Sequence, residues 1–381
     1  MISDHRMTRG RAALMRAPVR AARRSALAAG CFMLAASCCV VAAGGAAAAT
    51  VVRPPTAAPS WSLRLAIQYL PPGTNHSQYD AVLVEPGATW FFGGSNIGGR
   101  GKPETEQLRG ERPVPVPLPS GPHSWITAVS ATSASDIWAV TYLGGSVLRF
   151  DGKTWAVQPR GRWAAGTRFT GIIAISPANV WVFGTTGDRH LGAGTWHFNG
   201  KAWSRVRGPG GDVYQASEAS SDDLWGIGAA GGAGRPDDEL LHLSGSSWHV
   251  VRPAALVGFR YSHVLALSTA DVWVAGSVSG KPELAHFDGR GWTALRTPGT
   301  VAATGMCRDG SGGLWVIANS GKSPSVVLDR TAAGTWHTSV VSSDPANEVL
   351  ACALVPGTAT AWGAGLAVAP QGSAAAGYRY G

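Results

Sequence analysis

Ionisable side chains recur along this chain at fixed offsets from tryptophan. Asp136, Asn179, Asp223 and Asp271 each stand two residues before Trp138, Trp181, Trp225 and Trp273. His197, His242 and His286 each stand six residues before Trp203, Trp248 and Trp292, and Arg149 takes that place before Trp155. Carboxylates and imidazoles are the groups that acid–base catalysis and metal binding use. A metal site, however, needs its ligands about 2 Å from one ion, and these residues come one per repeat. Equivalent positions of successive repeats radiate apart, so both sets read as turn and strand residues of a scaffold. No Gly-x-Ser-x-Gly, His-Glu-x-x-His, phosphate loop or zinc-spaced Cys-x-x-Cys occurs. Ordinary hydrolase, metalloprotease and nucleotide chemistry therefore lack motifs, and neither a cofactor nor a metal is expected.

The elements that position these residues are short strands. The first pattern reads Ser-x-x-Asp/Asn, an aliphatic residue, Trp, then a small apolar run ending near Gly. It reads in full before Trp138, Trp181, Trp225 and Trp273 and in weaker copies before Trp90, Trp315 and Trp362; the seven are spaced 48, 43, 44, 48, 42 and 47 residues apart. The second pattern falls between them: Phe150-Asp-Gly-Lys-Thr-Trp155, Phe198-Asn-Gly-Lys-Ala-Trp203, Leu243-Ser-Gly-Ser-Ser-Trp248 and Phe287-Asp-Gly-Arg-Gly-Trp292. An apolar strand leads into the Ser-x-x-Asp turn, whose side chains bond the local backbone. The first Trp opens a second strand. Asp-Gly and Asn-Gly then join a third strand to a fourth, because Gly accepts positive φ. Four strands per unit of this length predict propeller blades. No segment sustains a 3.6-residue apolar period, which argues against βα repeats.

These motifs predict an all-β, seven-bladed β-propeller over residues 50–381, with four antiparallel strands per blade. Tyr378-Arg-Tyr-Gly381 resembles a third strand with nothing after it, while Ser60-Trp61-Ser-Leu-Arg-Leu65 resembles an orphan fourth strand. The N-terminal strand is thus expected to complete the last blade. Arg112-Pro-Val-Pro-Val-Pro-Leu-Pro119 belongs on an outer edge, where alternate prolines are tolerated. The repeats resemble the Trp-rich propellers of secreted actinobacterial proteins, grouped loosely with kelch and galactose-oxidase-like propellers. The copper chemistry of the latter would imply a Cys-crosslinked Tyr, a second Tyr and two His, and no such set is found.

The leader points outside the cell. The chain has 32 Lys+Arg against 23 Asp+Glu, a formal +9, and seven of the arginines lie in residues 1–49 with one acid. The excess basicity thus sits in the leader, and nucleic acid is not an expected partner. Basic Arg16–Arg24, uncharged Ala26–Ala49 and a terminal alanine run predict a signal peptide over 1–49, cleaved near Ala49. A membrane anchor is the other reading of that uncharged stretch; no span is expected in the mature chain. The mature chain keeps Cys307 and Cys352 at matching positions of neighbouring units, so a bridge and two buried thiols are both open.

Function falls to the face carrying the loops between strands two and three and between blades, since the repeated turns occupy the other face. Its candidate ligand-binding residues are the aromatics that begin first strands, Trp125, Phe169, Tyr214 and Tyr261, with His263. Charged loop residues Asp188, Arg189, Asp237 and Asp238 join them. Aromatic rings over a polar mouth suit a glycan or peptide, and binding residues concentrate on loops of rigid scaffolds. Alternatively these rings pack between blades. The expected function is a secreted, monomeric, non-catalytic module binding an extracellular glycan or protein. The alternatives are a glycan hydrolase or lyase using Asp237, Asp238 or Glu104, and a structural cell-envelope module.

Overall fold

A computed structural model describes residues 61–62, 68–69 and 76–381, apart from 98–99, 122–123, 186–193, 207, 209–211, 230–237, 298–302, 320–323 and 371. The expected leader, 1–49, lies outside the described residues. Among the described residues no helix is long and apolar enough to cross a membrane.

Seven antiparallel sheets form a ring, each a blade of four strands. The blades span 77–115, 126–157, 168–206, 213–251, 259–296, 303–340 and 348–380. First strands lie innermost, each beside the first strands of the two adjoining blades; Glu348–Leu354 meets Ser77–Glu85 to close the circle. The last blade has only three strands from the C-terminal part of the chain. Trp61–Ser62 supplies the fourth, with Trp61 opposite Tyr380 and Ser62 opposite Arg379. Gln68–Tyr69 continues along the same strand opposite Ala376 and Ala375. Joining the two ends in one sheet removes the unpaired edge that an open array would leave.

The two sequence patterns have distinct structural causes. In the Asp-Gly turns, the Asp151 carboxylate accepts from the Lys153 and Thr154 amides at 2.9 and 2.8 Å, and Gly152 takes φ 91°. The aromatic before that turn packs outward against the previous blade. Trp90 meets Phe150 at 5.1 Å, Trp138 meets Phe198 at 5.7 Å, Trp225 meets Phe287 at 5.8 Å and Trp315 meets Tyr380 at 4.9 Å between ring centroids. Blade 6 puts Arg330 at this position, its guanidinium 4.6 Å from the Trp273 ring centre. Four of the seven seams are thus bolted by one ring from each motif. Full burial of a large side chain is worth about 1.5–3 kcal/mol.

The glycine three residues after the first Trp answers a separate demand. Every first strand carries a register irregularity near its start, at Tyr79/Ala81, Ile126/Ala128, Phe169/Gly171, Val213/Gln215, Tyr261/His263, Ala303/Gly305 and Val349/Ala351. Each is a β-bulge, which bends the strand and re-aims its end. Opposite the bulge a Cβ on Gly184 or Gly276 would lie 2.1 or 2.0 Å from the Arg168 or Arg260 carbonyl oxygen. Only glycine lets the two backbones approach this closely.

Candidate functional site

The repeated Asp/Asn, His and Trp residues assemble into one cassette in each of blades 3, 4 and 5. Trp181, Trp225 and Trp273 pair directly across the sheet with His197, His242 and His286. The rings stack at 4.2, 4.3 and 4.1 Å. Each imidazole Nε2 is held to the turn residue, Asn179, Asp223 or Asp271, at 2.9, 2.7 and 2.9 Å. Asn179 and Asp271 also accept the indole N–H of Trp181 and Trp273, at 2.7 and 2.8 Å. In blade 2, Arg149 Nε donates to Asp136 at 2.6 Å and lies 4.8 Å over Trp138. Burial lowers the His197 pKa. The cassettes anchor the second and third strands of separate blades and bring no two imidazoles to one point.

The residues expected at the mouth differ in burial. Phe169 is fully buried and packs edge-on against Trp163 at 5.1 Å. Tyr261 is buried beside Phe259 at 5.0 Å, and burial together with the Glu239 carboxylate pushes its phenol up to about 12. Trp125 is half-buried, stacked on His76 at 5.4 Å and seated against Gly94 and Gly101 of the long blade 1 hairpin. His263 reaches the Thr304 backbone of blade 6; burial pushes it down to about 4, so its ring is neutral. Tyr214 is the extra residue of the blade 4 bulge and is half-buried. Asp238 is half-buried opposite Ala229 at the end of the blade 4 hairpin. Asp188, Arg189 and Asp237 lie outside the described residues. Of these aromatics, Phe169 and Tyr261 are buried against their neighbours, while Trp125 and Tyr214 are half-buried.

What the loop face does expose is apolar. Tyr142 and Leu143 project from the strand 2–3 loop of blade 2, Val257 from the connection into blade 5, and Val368 from the blade 7 hairpin. Val257 is 82% exposed. The remaining exposed large apolar residues, Val157 and Val340, lie on outer strands, and among the described residues none lies on the turn face. Beside this surface Arg168 sits 5.5 Å from the Tyr142 ring centre, and Arg252 pairs with Glu239 at 2.5 Å. The sequence held these residues in plain view, but exposure depends on what the next blade covers.

The sewing of the inner strands and the burial of the blade 1 acids escaped the sequence reading, whereas the bridge between Cys307 and Cys352 was one of its two open readings. The inner strands of neighbouring blades are sewn by side chains: Gln215 donates to the Val264 carbonyl at 3.2 Å and accepts the Val264 amide at 2.6 Å, while Ser217 accepts the Ala266 amide at 3.0 Å. Cys307 and Cys352 are joined, Cα atoms 6.0 Å apart, linking the first strands of blades 6 and 7. Blade 1, finally, buries Glu104 and Glu106. Glu104 accepts from Ser95 at 2.7 Å and Ser77 at 3.4 Å. Burial and the neighbouring Glu104 charge push Glu106 up to about 8.

No protein-family model matches the chain, and no curated protein matches it. Solved structures do. YCF48 bound to a D1 peptide is 12% identical, with a TM-score of 0.56, and the match covers 82% of this chain and 95% of that one. The extracellular domain of the hybrid two-component system BT4673 from B. thetaiotaomicron is 12% identical with a TM-score of 0.56, covering 84% of this chain and 40% of that one. The WD40 repeats of RRP9 are 9% identical with a TM-score of 0.52, covering 76% and 87%. At these identities the likeness establishes the propeller repeat fold.

Proposed function

We propose that the chain is a secreted, non-catalytic propeller that binds a protein or peptide on its loop face. The observation that carries this reading is the distribution of exposed apolar residues: Tyr142, Leu143, Val257 and Val368 share that face, and the turn face has none among the described residues. Single exposed side chains are ordinary; these lie on the connections of blades 2, 5 and 7, and binding residues concentrate on the loops of rigid scaffolds. A glycan has less support, because Phe169 and Tyr261, two of the rings that would stack on sugar, are buried. Glu104, a candidate hydrolase carboxylate, is buried in blade 1 and hydrogen-bonded by Ser95 and Ser77. Two of the structural neighbours are consistent with the reading: YCF48 is seen with a peptide, and the BT4673 domain is extracellular. We place the repeats with the Trp-rich secreted bacterial propellers, and the leader over 1–49 is the reason for expecting export.

Protein recovered from culture medium, expected to begin at Thr50, can be applied to peptide and glycan arrays in parallel. Peptide hits should weaken about tenfold or more in a Leu143→Ser, Val257→Ser double variant, the size of loss typical of central interface residues. Binding restricted to glycans, or peptide binding indifferent to both substitutions, would overturn the reading.

A further inference from the structure

One corner of the loop face carries a motif that the repeat does not need. The connection from blade 2 to blade 3 reads Gln158-Pro-Arg-Gly-Arg-Trp-Ala-Ala-Gly-Thr-Arg168, and its tryptophan belongs to neither repeat pattern. Trp163 is buried, edge-on against Phe169, Trp196 and Trp203 at 5.1, 5.5 and 5.6 Å between ring centroids. Its indole N–H donates to the Gly145 carbonyl at 3.0 Å, which ties the strand 2–3 loop of blade 2 to the connection. A Cβ on Gly161 would lie 2.2 Å from the Trp163 ring, so the connection's backbone rests directly on the indole. Arg160 folds the connection back on itself, donating to the Trp163 and Ala164 carbonyls at 3.2 and 2.6 Å. Loop and connection form one braced unit.

This unit shows solvent both apolar surface and unmatched positive charge. Tyr142 and Leu143 are 39% and 49% exposed. Arg160, Arg162 and Arg168 are exposed, and Arg168 lies over the Tyr142 ring, 5.5 Å from its centre. Residues 142–146 and 158–168 contain no acid. Among the described residues none of the three arginines belongs to an ion pair, whereas Arg252, on the connection out of blade 4, is matched by Glu239. Tyrosine and arginine are residue types on which interface energy concentrates. A guanidinium presents a planar fork of donors that fits both oxygens of a carboxylate.

We propose that this corner binds an acidic segment of a partner protein, one in which an Asp or Glu stands beside an apolar residue. The carboxylate meets Arg162 or Arg168, and the apolar side chain covers Tyr142 and Leu143. This partner class rests on the loop-face reading given above and narrows it. The arginines select the acid. Tyr142 and Leu143 select a polypeptide over a sulfated glycan, which carries charge without apolar side chains. Covering them also shields the ion pairs from water, and ion pairs left fully exposed contribute little.

The test applies the full mature protein to a peptide array in which every sequence appears twice, once with Asp and Glu and once with Asn and Gln in their place. Members with Leu or Phe beside the acid should bind about tenfold or more tighter than their amide twins, a difference typical of interface hot spots. The double variant Arg162→Gln, Arg168→Gln should abolish that preference, and Leu143→Ser should weaken the same acidic peptides. All three residues are exposed; circular dichroism and thermal unfolding check that the variants fold. Peptides bound through Leu143 and Val257 with equal affinity for both twins would overturn this proposal and leave the loop-face reading standing, whereas absence of any peptide binding would overturn both. Retention of the acidic preference in the folded double variant, or heparin binding that exceeds every acidic peptide and is lost in that variant, would also overturn it.

Discussion

At Trp181 a single oxygen of Asn179 receives both the indole N–H and the Nε2 of the stacked imidazole His197. That economy gives an acidic or amide residue, a tryptophan and a histidine a structural reason to recur together. The acids that lack such partners behave differently. Asp80 and Glu85 are pushed up to about 7 and Glu106 to about 8, chiefly by burial. An acid whose folded pKa is raised costs nothing below the ordinary value near 4.5, where both states are protonated. As pH rises from there to about 8 the unfolded carboxyl ionises and the folded Glu106 does not, so stability falls through that window and then levels. Glu106→Gln should flatten the fall, by at most about 1.4 kcal/mol per pH unit. Urea unfolding at pH 5, 6, 7 and 8 reads this directly; parallel slopes for variant and parent would refute it. The mouth aromatics show where residue-level reading stops. Phe169 and Tyr261 stand near strand starts, but the strands already begin at Arg168 and Phe259. One or two residues of ladder turned rings expected over a channel into seam packing.

Strands and turns were readable because their signals are local. Asp-Gly and Asn-Gly marked the hairpins, the Trp interval marked the period, and the orphan Trp61 strand matched the missing edge beside Tyr380. The bulges were not readable, since a bulge is a property of two strands in register; only its trace, the glycine after Trp181 or Trp273, was written in one. The bridge between Cys307 and Cys352 was open in the sequence because matching repeat positions bring two first strands together without fixing their distance. The closed loop spans 45 residues. In the chain-entropy picture a loop of that size corresponds to about 4 kcal/mol of restraint on the unfolded chain. Reduction, or Cys352→Ala, should therefore lower unfolding free energy by roughly 2–4 kcal/mol. A denaturation midpoint unmoved by reductant would contradict that role.

For the whole molecule, closing the ring at a shared sheet makes a rigid body with two unlike faces. One is built of repeated turns whose carboxylates are occupied by their own backbone, as at Asp151 and Asp288. The other carries the connections of unequal length and the exposed Tyr142, Leu143, Val257 and Val368. The division into faces follows from strand order alone and was legible in the sequence. Which side chains stay uncovered was not, because that is decided by the neighbouring blade. The early end of the blade 1 outer strand likewise follows from prolines visible in the sequence, while the burial of Glu104 and Glu106 is a product of packing. The central claim, that the loop face is the binding face, is tested most directly by hydrogen exchange on the mature protein with its best array peptide. Amide exchange is expected to slow around Leu143, Val257 and Val368 and to stay unchanged at Asp151–Thr154, Asn199–Ala202 and Asp288–Gly291. Slowing confined to those turns, with the loop face unaffected, would contradict it.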